Sequence, residues 1–282
     1  MQRRQRFATG GFAPALGAFG RGPLSALGAA LTALLADLDI IRAITLRNLR
    51  IKYQHNALGI FAELLRPVVV CVAHYYYFSL SQRNVPGHQY IIFTVGGFTI
   101  WFTFAAAYHG TMEGTQWPGG VTALPGVTLM HLRVSRVLWA YVLHVFLAFA
   151  LVPILAVFGQ NISMPLVILT LTTYGLAVGL GFGYGLICAA IAHAVPALAP
   201  FIKIFEWIVF ITSGVYDSLV TMPYIMAQIV QYNPIIDLAE FQRYAYYQGY
   251  PTYLVTLTYP VIWMLALIFV GLAMNRAMSR NR

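Results

Sequence analysis

Long apolar runs separated by brief polar breaks dominate this sequence. From 137 to 202 there is no Asp, Glu, Lys or Arg. At ~20 residues per bilayer crossing, that run predicts two helices. The turn between them is Gly159-Gln-Asn-Ile-Ser163, with Pro165 opening the second. Further spans are predicted over 89–112 and 254–274, and 64–82 is the first, with Arg66 near enough to its end to snorkel into headgroups. The stretch 201–216 is short for a crossing but predicts one. Between Ser218 and Ile236 the chain is apolar yet broken by Pro223 and by Asn233-Pro234. That predicts short helices that dip into the bilayer and return, since irregular backbone survives at that depth only under protein cover or beside water. The spans number six, at about 64–82, 89–112, 137–158, 164–194, 201–216 and 254–274.

Composition agrees. The 282 residues are 60% hydrophobic and 9% charged, with a mean hydropathy of +0.72. Soluble domains carry about 25% charged residues. This chain has too little polar material to cover a soluble core, so it is read as an integral membrane protein.

Charge placement sets the orientation. With six spans both termini share a side. Taking that side as the cytoplasm puts fifteen of the seventeen Lys and Arg inside, leaving Arg83 and Arg243 outside. That asymmetry satisfies the positive-inside rule. The net charge of +9 is therefore a topology signal rather than a nucleic-acid footprint. Arg3, Arg4 and Arg6 ahead of the apolar Leu24–Ala36 stretch mimic a signal peptide, but the cations lie far from the apolar run. Residues 1–36 are read as an uncleaved, disordered cytoplasmic tail, and 37–282 as the six-span domain.

Several patterns suggest chemistry that the rest of the chain does not support. The run Gly179-Leu-Gly-Phe-Gly-Tyr-Gly185 looks like a phosphate cradle, yet no strand or Lys-Ser/Thr pair accompanies it. Gly175/Gly179 and Gly181/Gly185 instead repeat at the spacing that lets membrane helices approach closely. The lysines are Lys52 and Lys203 alone, so this chain has no Walker-type nucleotide site. Cys71 and Cys188 fall inside spans and give no disulfide or metal pattern. His74, His109, His144 and His193 lie in or near spans, where ionisable groups are candidate functional groups. Their spacing builds no metal site. His109 and Glu113 share a helix face, and Glu206 pairs most simply with Lys203.

Aromatic clusters allow two readings. Tyr75, Tyr76, Trp101, Tyr244 and Tyr247 suit an interfacial belt. The belt is the simpler reading; stacking platforms along a path for sugar rings are the alternative.

Two spaced motifs carry a family resemblance. Leu46-Arg-Asn-Leu-Arg-Ile-Lys-Tyr53 is followed five positions later by Leu58-Gly59, and then by Pro67. Asn233-Pro234 is followed by Glu240 and Arg243. Order, spacing and span layout over about 37–275 resemble the permease subunits of ABC-type exporters for capsular polysaccharide and O-antigen. The departures are Asn48 where an acid is common, Arg66 where Glu or Gln usually precedes the proline, and Glu63 at a normally uncharged position. Glu63 and Arg66 are spaced for an i,i+3 pair.

The resemblance implies an all-α integral membrane protein with six transmembrane helices, both termini cytoplasmic, in the bacterial inner membrane. It implies an N-terminal interfacial amphipathic helix at about 37–60 and short re-entrant helices before the last span. Ile40, Ile44 and Ile51 would face lipid, with Arg47 and Arg50 toward the headgroups. It implies a non-catalytic homodimer working with two copies of a separate ABC ATPase subunit, which binds the ATP and Mg, while this chain carries no cofactor or metal. The loop from Gly114 to Leu132, with Gly119, Gly120, Pro125 and Gly126, would dock on that ATPase. Arg42, Arg47, Arg50 and Lys52 would either meet the phosphate of a lipid-linked glycan at its entrance or only anchor the helix at the membrane. Rival readings are an exporter of another lipid or small amphiphile, and an ion-coupled secondary transporter, which would want acids at mid-membrane.

Overall fold

The computed structural model describes residues 23–53, 58–82, 84–86, 90–113, 126–157 and 166–280, with the backbone path alone at 23–30, 51–53, 58–62, 154–157 and 279–280. Among these residues the chain is helical, without strands. In order, the helices are α1 (Pro23–Tyr53), α2 (Leu58–Leu80), α3 (Tyr90–Glu113), α4 (Leu129–Val157), α5 (Val167–Ala194), α6 (Ala199–Ile211), α7 (Tyr224–Val230), α8 (Pro234–Tyr246) and α9 (Thr258–Arg280). Four of them, α3, α4, α5 and α9, are long and apolar enough to cross a membrane. α2 has the length but carries Glu63 and Arg66 in its first half. α6 has 13 residues, or about 20 Å at 1.5 Å per residue, against a hydrocarbon core of about 30 Å.

α3 is the hub, packed by α2, α4, α5 and α8. Its sequence explains why. Up to Tyr108 it is apolar on nearly every side, as a helix packed on most of its faces must be. Its buried threonines satisfy themselves: Thr94, Thr99, Thr103 and Thr111 each donate the side-chain hydroxyl to the carbonyl four residues back, at 2.6–2.7 Å.

The glycine run on α5 packs helices on two faces. A Cβ at Gly183 would sit 2.8 Å from the Ile268 nitrogen on α9, and one at Gly185 2.8 Å from the Tyr108 carbonyl on α3. Gly181 likewise lies against the Phe104 carbonyl. The stripes are therefore Gly179/Gly183 toward α9 and Gly181/Gly185 toward α3, while Gly175 meets only the Tyr141 ring at 3.8 Å.

The expected boundaries shift in several places, α6 ending at Ile211 rather than 216 and α9 running over Thr258–Arg280 rather than 254–274 among them. Residues 23–36, assigned to the tail, are the opening turns of α1. The interfacial helix ends at Tyr53 rather than 60, and 58–60 already belong to α2. Arg133 and Arg136, expected outside the span, lie within α4 because that helix begins at Leu129. α1 also docks differently than its amphipathic pattern implied. Ile44 is buried on Leu132 of α4 rather than turned to lipid. Polar contacts reinforce that seam: Thr45 Oγ1 with Ser135 Oγ at 2.9 Å, and Asp37 Oδ1 with His131 Nε2 at 3.2 Å. The broken stretch before the last helix forms two short helices, α7 and α8, split at Asn233-Pro234.

Candidate functional site

Beside the seam of α1 and α4 lies a half-open cavity of about 980 Å³ walled by α1, α2, α3 and α4, with Glu206 reaching it from the middle of α6. Arg47, Arg66 and Arg136 line it with Glu63, Glu113 and Glu206, beside Trp101, Phe102 and Trp139. Two cross-helix contacts cross its wall. Arg136 Nη1 on α4 donates to Glu113 Oε2 on α3 at 2.9 Å. His109 Nε2 on α3 meets Glu206 Oε1 on α6 at 2.9 Å. These partners replace the expected ones: Glu206 bonds His109 rather than Lys203, and Glu113 bonds Arg136 rather than His109. Arg66 lies over the Phe102 ring, 5.9 Å from its centroid. The result is a hollow of mixed charge, three arginines and three glutamates, with aromatic rings in its wall.

The structure separates the four basic candidates. Arg47 lines this cavity and also, with Arg50, a shallower hollow of about 410 Å³ on the other side of α1. Arg42 is exposed and lines neither. The side chain of Lys52, and the residues Gly119, Gly120 and Pro125 expected to dock the ATPase, lie outside what is described; Gly126 is an exposed turn residue at φ 84°.

The aromatic candidates do not form one path. Trp101 is buried at the cavity floor against Phe210 (4.9 Å between centroids) and Phe104 (5.4 Å). Tyr75 and Tyr76 meet edge to face at 5.3 Å, with Tyr76 exposed. Tyr244 and Tyr247 pack on the cluster of Phe78, Val85, Phe93 and Tyr250, toward the opposite end of α3.

The second motif builds a knot at that opposite end. Asn233 caps α8: its Oδ1 accepts from the Ile235 N–H at 3.0 Å, and Pro234 takes the first helical position, where a missing N–H costs nothing. Asn233 Nδ2 also donates to the Val209 carbonyl and Thr212 Oγ1, both at 2.9 Å, tying α8 to the end of α6. Glu240 and Arg243, 1% and 0% exposed, pair at 3.2 Å. Arg243 further donates to the carbonyls of Phe93 and Gly214, and its guanidinium lies 3.6 Å from the Phe93 centroid. Room for it exists because α3 has glycines at 96 and 97: a Cβ there would come within 2.6 Å and 2.7 Å of the arginine side chain. Gly214 turns the chain at φ +75°, and Ile236 fills the space where its Cβ would go. Every facet of Arg243 is thus occupied by protein. Nearby, burial pushes the Asp237 carboxyl up to about 7, against the pull of the Thr256 N–H and with the Glu240 charge adding to the rise.

One further tie escaped the sequence reading. Buried Arg133 donates to Asn275 Oδ1 at 2.9 Å, and Asn275 Nδ2 donates to the Leu186 and Gly271 carbonyls, joining α4, α5 and α9.

No known protein-family profile matches the sequence. The chain is similar to the polysialic acid transport protein KpsM of Escherichia coli, 21% identical over 239 residues that cover 84% of this chain and 92% of that protein. A second E. coli protein of the same name is 21% identical over 241 residues, with the same coverage. The resemblance drawn from the two spaced motifs is therefore matched, over most of both chains, by polysialic acid transport proteins.

Proposed function

We propose that this chain is the permease subunit of an ATP-driven exporter that moves a lipid-linked polysaccharide across the bacterial inner membrane. Similarity to KpsM over 84% of the chain supports this reading most strongly. The cavity supports it chemically. Arg47 and Arg66 offer guanidinium groups to a phosphate, and Trp101 and Phe102 offer faces to sugar rings or to the first carbons of a lipid chain.

In this reading α2 and α6 complete six crossings, α6 with the help of the turns at its two ends. Both termini then face the cytoplasm, and the cavity opens at the cytoplasmic leaflet. The chain acts as a homodimer with two copies of a separate ATPase that supplies ATP and Mg chemistry. ATPase states would bias the permease between closed and open arrangements by differential contact. Arg42 and Arg50 fit the anchoring role, and Arg47 the substrate-facing one.

The test is co-purification of the full chain with a P-loop ATPase expressed from a neighbouring reading frame. The expected result is a stable complex whose ATP hydrolysis is stimulated by lipid-linked glycan. A stable complex without ATPase activity would contradict the proposal.

A further inference from the structure

We infer that the His109–Glu206 contact is a latch that sets the position of α6 and is opened by an anionic group entering the cavity; the second half of this statement rests on the reading of the cavity as the entrance for a phosphate-bearing carrier.

α6 is loosely held for a helix in a bundle. Ile202 is its only buried residue, while Phe201, Ile204, Phe205, Trp207 and Ile208 are exposed. A 3-10 turn at Pro196–Leu198 precedes it and sets it off from α5. The far end is secured by Phe210 against Trp101 and by the Asn233 amide on Val209 and Thr212. Among the described residues, the rest of the helix has Ile202 near its start and one polar tie at its middle, Glu206 to His109.

That tie is easily broken. The two side chains are 21% and 49% exposed, and half-exposed pairs contribute little to stability. Both partners line the cavity. A phosphate held near Arg47 and Arg66 would repel the Glu206 carboxylate and compete for the imidazole, removing the near-end hold while the far end stays fixed. The near half of α6 then swings about its anchor at Val209–Thr212 and widens the hollow. His109 and Glu206 are thus positioning residues that report occupancy to a moving helix.

The experiment measures distances by pulsed electron resonance between spin labels at Val142→Cys on α4 and Phe205→Cys on α6, both native side chains being exposed. The full chain carries Cys71→Ala and Cys188→Ala, sits in lipid nanodiscs, and is diluted with unlabelled protein. The probes are inorganic pyrophosphate and undecaprenyl phosphate. We expect one distance without ligand, and at least about a three-fold rise of a longer-distance population with either probe. His109→Ala should show that population without ligand, and His109→Glu with Glu206→Lys should restore the short distance. A response to undecaprenyl phosphate alone supports the latch and assigns the anion to a lipid carrier. A single unchanged distance in His109→Ala, or an unshifted wild type with both probes, overturns it. An exporter that lacks nucleotide-driven transport but keeps the ligand-dependent shift overturns the export reading and leaves the latch standing.

Discussion

α3 carries a charge-rich site near each end, and the two are built in opposite ways. Near Gly96 and Gly97, the Glu240–Arg243 pair is wholly buried, and the arginine is held by two carbonyls and an aromatic ring. Near His109 and Glu113, about 20 Å along the same helix at 1.5 Å per residue, the ion pairs are part-exposed and face a cavity. Removing one partner of a buried pair leaves a charge with nowhere to go, whereas breaking an exposed pair lets water in. The first arrangement holds a fold together. The second is free to exchange partners with a ligand.

Substitutions can break this contrast. The largest effect should come from Arg243→Ala, which strands Glu240 and opens a void; a loss of about 3–5 kcal/mol is expected. Size-exclusion chromatography after heating in detergent would show the variant failing to remain monodisperse. Melting like wild type would remove the structural role. Next, Gly183→Leu drives a side chain into the backbone of α9, and overpacking of this kind costs about 1–3 kcal/mol. Gly175→Ala, which meets only a ring edge at 3.8 Å, should melt like wild type in the same assay.

On the cavity side the order reverses. Arg47→Ala with Arg66→Ala should leave stability within about 0.5 kcal/mol yet reduce export by at least about ten-fold, the effect of 1.4 kcal/mol in binding. Export at the wild-type level from correctly inserted protein would mean that these cations serve only as anchors.

The smallest effect is one of pH. The Asp237 carboxyl, ordinarily near 3.8, is raised to about 7 by burial. Its contribution is complete below pH 3.8, where folded and unfolded chains are both protonated. It is lost as pH rises toward 7, because the unfolded chain ionises first. Asp237→Asn should therefore raise the melting temperature above pH 7 and change it little at pH 4. A variant equally shifted at both pH values would show that ionisation is not the cause.

The sequence reading reached the helices further than it reached the site. Apolar runs and proline breaks place α3 and α5 closely, set α9 a turn too early, and separate α7 from α8, because membrane helices must satisfy their own backbone within each segment. The start of α4 was missed because Arg133 and Arg136 look like loop cations. Their partners, Asn275 and Glu113, come from other helices. The same reason hid the cavity. His109, Glu113 and Glu206 were each noticed, yet their pairing depends on how α3, α4 and α6 pack, and nearest-neighbour spacing suggested the wrong partners. Asn233, Glu240 and Arg243 were found by spacing, but spacing did not disclose that they lock α8 onto α3 and α6. Glycines 96 and 97 held the clue, since paired glycines in a buried helix signal a large neighbour.

The most direct test of the central claim is transport in proteoliposomes that hold the full chain with its ATPase partner, using a lipid-linked glycan presented on the nucleotide side. The account predicts ATP-dependent appearance of the glycan on the opposite side, sharply reduced by Arg47→Ala with Arg66→Ala. Translocation that proceeds equally without ATP, or driven by an ion gradient alone, would contradict it.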